Sequence, residues 1–239
     1  MMRDVLKNGK ISKLAGGDTG HAFLLEYKGK KYVLRKFEDE KTAGYYFELC
    51  KKLQGHGFLP KIYFKEGKNI VFEYIEGRDC SKKDALKVAF QVGKICALTN
   101  KSTSDKDYNL DERFISYIKD LENNSLIDKS GYSIALKMYH DLKKKINPKM
   151  VIDANDVYPE NFRLRDGKVY LVDIEAIKPM IKGFGIAKSF VRWFRTPKQR
   201  QNFKKGYSSV NSISFLTEDY LTFLYLNFLA RSISIKIRL

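Results

Sequence analysis

Three residues with oxygen-bearing side chains, Asp156, Asn161 and Asp173, fall close together within residues 151–175. Apolar runs lie on either side of an Asp-Gly pair at residues 166–167. This pattern predicts a loop, a strand, a two-residue hairpin turn and a second strand, which would gather the oxygen atoms at one end of a small sheet. Oxygen donors in such an arrangement can hold a hard cation and the phosphates that it carries.

The first third of the chain is predicted to form an antiparallel sheet. Residues 11–37 alternate in polarity and are punctuated by glycine, which indicates three strands, and residues 62–64 and 69–75 add two more. Residues 41–54 have apolar positions at helical spacing and predict one amphipathic helix. The chain up to Gly77 therefore holds five strands and one helix.

A glycine-rich turn joins the first two predicted strands and contains Gly16, Gly17, Thr19 and Gly20. Glycine lets backbone N–H groups approach a phosphate closely, because no Cβ intervenes and a positive φ costs little. Plain hairpins have the same composition, so this turn by itself assigns no ligand.

Beyond Gly77 the pattern changes from strand-rich to helix-rich. This change predicts an α+β fold with two lobes, residues 1–76 and residues 77–239. The helices are predicted over residues 81–98, 111–122, 132–146, 186–194 and 216–232.

Composition narrows the class of protein and the kind of partner. The 239 residues are 44% hydrophobic and 13% aromatic, which excludes a disordered chain. The formal charge of +17 favours anionic partners such as phosphate, nucleic acid or an anionic membrane face, with a lysine-rich solubilising surface as the alternative. The three cysteines lack the spacing of a zinc site or a disulfide framework, and no apolar stretch approaches the roughly 20 residues that span a bilayer. We expect a cytoplasmic protein, with peripheral contact to the inner face of a membrane left open.

Four motifs, taken in order, resemble the protein-kinase-like fold. They are G-G-D-T-G at residues 16–20, K-K-Y-V-L-R at residues 30–35, D-V-Y-P-E-N at residues 156–161 and L-V-D-I-E at residues 171–175. Within that fold they resemble the branch of aminoglycoside phosphotransferases, choline kinases and lipopolysaccharide core kinases. The ordered series is specific, whereas each motif alone is common. The resemblance covers roughly residues 11 to 180 and leaves the last third unassigned.

The resemblance implies ATP and Mg²⁺ as cofactors and gives three residues a role. Asp156 would be the catalytic residue that accepts or orients the acceptor hydroxyl. Asn161 and Asp173 would be the Mg²⁺ ligands, which neutralise the charge that develops on the transferred phosphoryl group.

The same resemblance places the nucleotide on the first lobe. Arg35 stands where protein kinases have the strand lysine that contacts the nucleotide phosphates, and the glycine-rich turn would cover those phosphates. The backbone C=O of Glu73 and the backbone N–H of Ile75 would bind adenine. The carboxylate partner of Arg35 stays open between Glu40, Glu48 and none, although Glu48 lies toward the polar side of its helix and is expected to be solvated.

Two departures from ordinary protein kinases favour a small-molecule enzyme. Ala154 stands where a histidine often precedes the catalytic aspartate, and Glu175 replaces the glycine of the D-F-G motif. No long activation segment follows Asp173.

The prediction is therefore a kinase that phosphorylates a hydroxyl group of a sugar, a lipopolysaccharide-like glycolipid or another small molecule. One alternative is an atypical protein Ser/Thr kinase. Another is a catalytically weak kinase-fold protein whose basic surface binds nucleic acid or membrane. The acceptor itself cannot be assigned from the sequence.

Overall fold

A computed structural model describes residues 2–14, 22–102 and 109–238. Within the first half of the chain the elements are α1 (Met2–Asn8), β1 (Lys10–Lys13), β2 (Ala22–Tyr27), β3 (Lys30–Lys36), α2 (Glu40–Gln54), β4 (Ile62–Glu66), β5 (Asn69–Glu73), β6 (Arg78–Asp79), α3 (Ala85–Thr99), β7 (Lys101–Ser102) and α4 (Leu110–Asn123). They are followed by α5 (Lys129–Ile146), β8 (Met150–Ala154), β9 (Phe162–Arg165), β10 (Lys168–Leu171), β11 (Ile177–Ile181), α6 (Phe184–Arg192), α7 (Pro197–Ser208) and α8 (Glu218–Arg238).

The chain forms two compact units, and the first is discontinuous in sequence. Unit 1 comprises Met1–Ser81 and Pro159–Glu175, and unit 2 comprises Lys82–Tyr158 and Ala176–Leu239.

Unit 1 is built on a five-stranded antiparallel sheet with the strand order β1-β2-β3-β5-β4. The predicted strands and the predicted helix α2 are confirmed, whereas α1 was not predicted. Helix α2 begins at Glu40 because the Asp39 carboxylate accepts a hydrogen bond from the Thr42 backbone N–H at 2.7 Å. The core contains Val5 from α1 with Leu25, Leu34 and Val71 from the sheet. Helix α1 therefore covers one face of the sheet.

A second, smaller sheet in unit 1 has the order β10-β9-β6. Strands β9 and β10 are joined by Asp166 and Gly167, whose φ angles are +51° and +75°. Asp-Gly favours these positive φ angles, and the predicted two-residue hairpin turn is confirmed.

Unit 2 is mainly helical, as predicted, and contains α3 to α8. Its centre includes the stacked rings of Phe114, Tyr139 and Phe223, with centroid separations of 4.2 and 5.4 Å. The buried core of unit 2 also contains Trp193, whose side chain is 2% exposed. A small sheet of order β11-β8-β7 and helix α7 were not predicted. The start of the 151–175 stretch was expected to be a loop, but it forms β8, which is paired on both sides and leads directly to Asp156.

Among the residues that the structure describes, every helix is too short or too polar to cross a lipid bilayer.

Candidate active site

Arg35 joins two acidic side chains that are distant in sequence. Its Nη2 donates to Asp173 Oδ1 at 2.8 Å, and its Nη1 donates to Glu175 Oε2 at 2.8 Å. The Arg35 side chain is only 12% exposed, whereas those of Asp173 and Glu175 are 27% and 33% exposed. These three residues form what we call the arginine–carboxylate cluster. The planar guanidinium suits it, because both nitrogen atoms can donate at fixed geometry.

The elements of unit 1 hold this cluster in place from two sides. Arg35 lies in the middle strand of the sheet, paired with Ala22 on β2 and Ile70 on β5. Strand β10 ends just before Asp173, and the backbone N–H of its last residue, Leu171, donates to the carbonyl of Phe58 at 2.9 Å. The hairpin that carries the carboxylates is therefore attached to the segment that follows α2.

The sequence left open whether Glu40, Glu48 or neither pairs with Arg35, and the described partners of Arg35 answer this question. Neither helix glutamate pairs with it: Glu40 accepts from Lys65 Nζ at 3.3 Å, and Glu48 is exposed, as predicted. Tyr46 of α2 lies near the cluster, and burial together with the Glu175 carboxylate raises its pKa. Glu175, which the sequence marked only as a departure from glycine, is the second carboxylate of Arg35.

Asn161 adjoins the arginine–carboxylate cluster through the backbone. It ends a 3₁₀ turn at Pro159–Asn161, and its carbonyl accepts from the Val172 N–H at 2.9 Å. This hydrogen bond continues the β9–β10 pairing and brings Asn161 beside the segment that carries Asp173. An amide oxygen and a partly exposed carboxylate are ligands that suit Mg²⁺, which proteins bind through one or two carboxylates and substrate phosphates. Among the described residues, His, Cys, Asp and Glu side chains alone form no group of three that could hold a metal ion.

The segment predicted to bind adenine, which includes the end of β5 and the residues after it, is held by two arginines of β9. Arg163 donates from Nη1 to the carbonyl of Ile75 and from Nη2 to the carbonyl of Gly77, each at 3.1 Å. The Glu73 carboxylate accepts from Arg165 Nη1 at 3.3 Å and from the Lys61 backbone N–H at 3.1 Å. The segment is therefore tied to β9, and adenine binding by Glu73 and Ile75 stays a prediction.

The predicted phosphate-binding residues Gly16, Gly17, Thr19 and Gly20 lie outside the described residues.

Asp156 lies in unit 2, two residues beyond β8, and faces a lysine. Lys188 Nζ on α6 donates to Asp156 Oδ1 at 2.5 Å. The lysine side chain is 10% exposed and that of Asp156 is 39% exposed. Burial lowers the pKa of Lys188, against the attraction of Asp156. Lys188 was not predicted from the sequence, although it stands one helical turn from Arg192 on a helix whose only other polar side chain is that of Ser189. The catalytic role of Asp156 stays a prediction.

Helix α6 packs against the backbone that carries Asp156. A Cβ on Gly185 would lie 1.8 Å from the carbonyl oxygen of Ala154, so only glycine allows this approach. The buried Asp153 carboxylate accepts from the Gly183 N–H at 3.0 Å, at the start of the helix. Burial raises the pKa of Asp153 to about 7. These contacts fix the position of Lys188 relative to Asp156.

The five-stranded antiparallel sheet with its helix, the helical second unit, and the order of the motifs define a protein-kinase-like fold, as predicted. No protein-family model and no curated protein matches the sequence.

Solved structures of small-molecule kinases share this fold. The chain is similar to the choline kinase LicA from Streptococcus pneumoniae, with 18% identity and a TM-score of 0.70 over 99% of this chain and 89% of that one. The Plasmodium vivax ethanolamine kinase has 14% identity and a TM-score of 0.66 over 99% and 76%. The AMP-bound spectinomycin phosphotransferase has 14% identity and a TM-score of 0.67 over 98% and 87%. At these identities the similarity establishes the fold.

Proposed function

We propose that the protein is an ATP- and Mg²⁺-dependent phosphotransferase that acts on the hydroxyl group of a small molecule. The observation that carries the proposal is the arginine–carboxylate cluster with Asn161 beside it, on a protein-kinase-like fold. Arg35 supplies positive charge, and the oxygen atoms of Asn161 and Asp173 supply metal ligands within the same unit.

In this proposal the nucleotide phosphates bind in front of β3. One oxygen of Asp173 is engaged by Arg35 Nη2, which leaves the second carboxylate oxygen to face a metal ion. When bound, Mg²⁺ neutralises negative charge on the phosphates. Arg35 fixes the orientation of the Asp173 carboxylate through one nitrogen, and Glu175 accepts from the other nitrogen and holds the guanidinium in place. The AMP-bound forms among the structural neighbours support an adenine nucleotide as the donor.

Asp156 is proposed to orient the acceptor hydroxyl and to accept its proton. The acceptor oxygen then forms a bond to the γ-phosphorus, and the bond from that phosphorus to the β–γ bridging oxygen breaks, which releases ADP. Lys188 Nζ donates to Oδ1 of the Asp156 carboxylate and so orients it.

A small-molecule acceptor is favoured over a protein. The structural neighbours are named as kinases of choline and ethanolamine and as a phosphotransferase of spectinomycin, all of which carry alcohol groups. Sugars and glycolipids are acceptors of the same chemical class.

Nucleotide binding provides a direct test. ATP with Mg²⁺ is expected to raise the thermal midpoint of the parent protein, and Asp173→Ala is expected to abolish this rise. Glu40→Ala is a matched control, because Glu40 also pairs with a cation, Lys65, in unit 1 but is 73% exposed and outside the arginine–carboxylate cluster. A parent protein whose midpoint does not respond to ATP and Mg²⁺ would overturn the proposal.

A further inference from the structure

The surroundings of Asp156 in unit 2 are strongly basic. Besides Lys188, the guanidinium of Arg192 lies close enough to be attracted by the Asp156 carboxylate. Lys188 is in turn repelled by the positive charges of Lys178 and Arg231. These four residues, from β11, α6 and α8, form what we call the cationic cluster. Two of these positive charges, on Lys188 and Arg192, therefore act on the Asp156 carboxylate, and the other two, on Lys178 and Arg231, lie close to Lys188.

Aromatic rings hold the two arginines of the cationic cluster in position. Arg192 Cζ lies 4.5 Å from the ring centroid of Tyr158 and 4.8 Å from that of Phe228. Arg231 Cζ lies 6.0 Å from the ring centroid of Phe184, which itself contacts Phe228 edge-on. Each guanidinium therefore lies over an aromatic face, where cation–π attraction favours its position.

The cationic cluster and the neighbouring Tyr158 have hydrogen-bonding groups that the described residues do not use. Within the described part of the chain, neither Arg192 nor Arg231 forms a hydrogen bond or an ion pair with an acidic side chain. The phenol oxygen of Tyr158 is buried and has no hydrogen-bond partner among these residues. Lys188 Nζ, with three N–H donors, shows one described bond, to Asp156. Partly buried cations that lack counter-ions are costly unless a ligand supplies the missing charge.

From this geometry we infer that the phosphate acceptor is itself an anion, an alcohol that carries a phosphate or a carboxylate group, bound by Arg192, Arg231 and Lys188 beside Asp156. The inference rests on the proposed function and narrows its substrate class. A quaternary ammonium or polyamine acceptor would meet like charges here, and like charges brought together in a partly buried site repel strongly. Arginine recognises phosphate and carboxylate oxygens through two parallel hydrogen bonds, which gives the acceptor a fixed orientation.

A titration of the isotope-labelled protein with inorganic phosphate tests the inference without knowledge of the acceptor. The side-chain Nε–Hε resonance of Arg192 is expected to shift and saturate with phosphate, and acetate in a parallel titration shows whether a carboxylate is also bound. Arg192→Met keeps an apolar side chain against Tyr158 and Phe228, and should weaken phosphate binding at Lys188 and Arg231 by roughly 10- to 100-fold. Lys198→Met, an exposed change on α7, is the matched control and should leave the affinity unchanged.

A second experiment measures ADP release with four small acceptors: glycerol, glycerol 3-phosphate, glycerate and choline. ADP release is expected to favour an anionic member, and Arg192→Met should remove that preference. The inference is overturned if no saturable shift of Arg192 appears at tens of millimolar phosphate, or if choline or glycerol is the preferred acceptor.

The thermal shift with ATP and Mg²⁺ separates the two proposals. A protein that responds to ATP but shows no phosphate binding at Arg192 has the proposed function with a different acceptor class. A protein that binds phosphate at Arg192 but does not respond to ATP contradicts the proposed function.

Discussion

Replacing Arg35 by methionine tests the arginine–carboxylate cluster most sharply. Methionine keeps an unbranched apolar stem within β3 but donates no hydrogen bond. The variant therefore leaves Asp173 and Glu175 side by side without the cation that each of them contacts at 2.8 Å. We expect lower stability in the absence of any ligand.

The expected loss of folding stability depends on how exposed the two carboxylates are. A hydrogen bond to a charged group contributes about 1.5–3 kcal/mol, and Arg35 makes two of them. Both carboxylates remain about a quarter to a third exposed, so water recovers part of the energy. We expect a loss of about 2–3 kcal/mol, which corresponds to a drop in Tm of roughly 5–10 °C for a chain of this length.

Thermal and urea unfolding of parent and variant measure this loss. Lys65→Met is the matched control, because Lys65 also lies in unit 1 and pairs with Glu40, whose side chain is 73% exposed. Such a surface pair contributes at most about 1 kcal/mol. Arg35→Lys should restore little, because an ammonium group cannot reproduce the two parallel contacts of a guanidinium. An Arg35→Met variant as stable as the Lys65→Met control would refute this account of the cluster.

Three further predictions concern the support of Asp156 and helix α7. Gly185→Ala should cost at least about 1–3 kcal/mol by calorimetry, because the new Cβ overlaps the Ala154 carbonyl. Because burial raises the pKa of Asp153 to about 7, the folded state binds more protons than the unfolded chain between about pH 4 and pH 7, and stability falls across that window as pH rises. Relative to the parent, Asp153→Asn should therefore gain about 2–3 kcal/mol between pH 5 and pH 8 in urea titrations. Thr196→Ala should cost about 1 kcal/mol in urea unfolding, because it removes the N-cap of α7.

Each of these changes has a control or a contrary outcome. Gly44→Ala lies inside α2 with its nearest outside atom 4.0 Å from the new Cβ, and should be neutral or stabilising. A pH dependence of Asp153→Asn that parallels the parent would show that Asp153 is ionised normally in the fold. A Thr196→Ala protein of parental stability would mean that the capping hydrogen bond contributes nothing.

Local patterns were sufficient to predict most elements. Polar alternation marked the strands of unit 1, and the Asp-Gly pair at residues 166–167 marked the hairpin, because both signals depend on a few neighbouring residues. Helix α7 was not predicted because its sequence is mostly polar and only three of its residues are buried, Phe203, Gly206 and Tyr207. The capping box of Thr196 and Gln199 was the available signal.

The candidate site was predicted in its residue types but not in all of its pairs. Arg35 and Asp173 were singled out by their motifs, whereas the contact of Arg35 with Glu175 joins residues 140 positions apart and depends on tertiary packing. Lys188 reaches Asp156 across 32 positions, and no motif marks it. Long-range ion pairs of this kind require the fold before they can be recognised.

Transfer of the γ-phosphoryl group tests the central claim most directly. The protein is incubated with γ-labelled ATP, Mg²⁺ and a fractionated mixture of small alcohols and sugars, both neutral and phosphorylated, and the label is located by mass spectrometry. We predict label in a small-molecule fraction and its loss in Asp156→Asn, with the ATP-dependent thermal shift retained. Label found only in protein, or equal transfer by Asp156→Asn, would contradict the account.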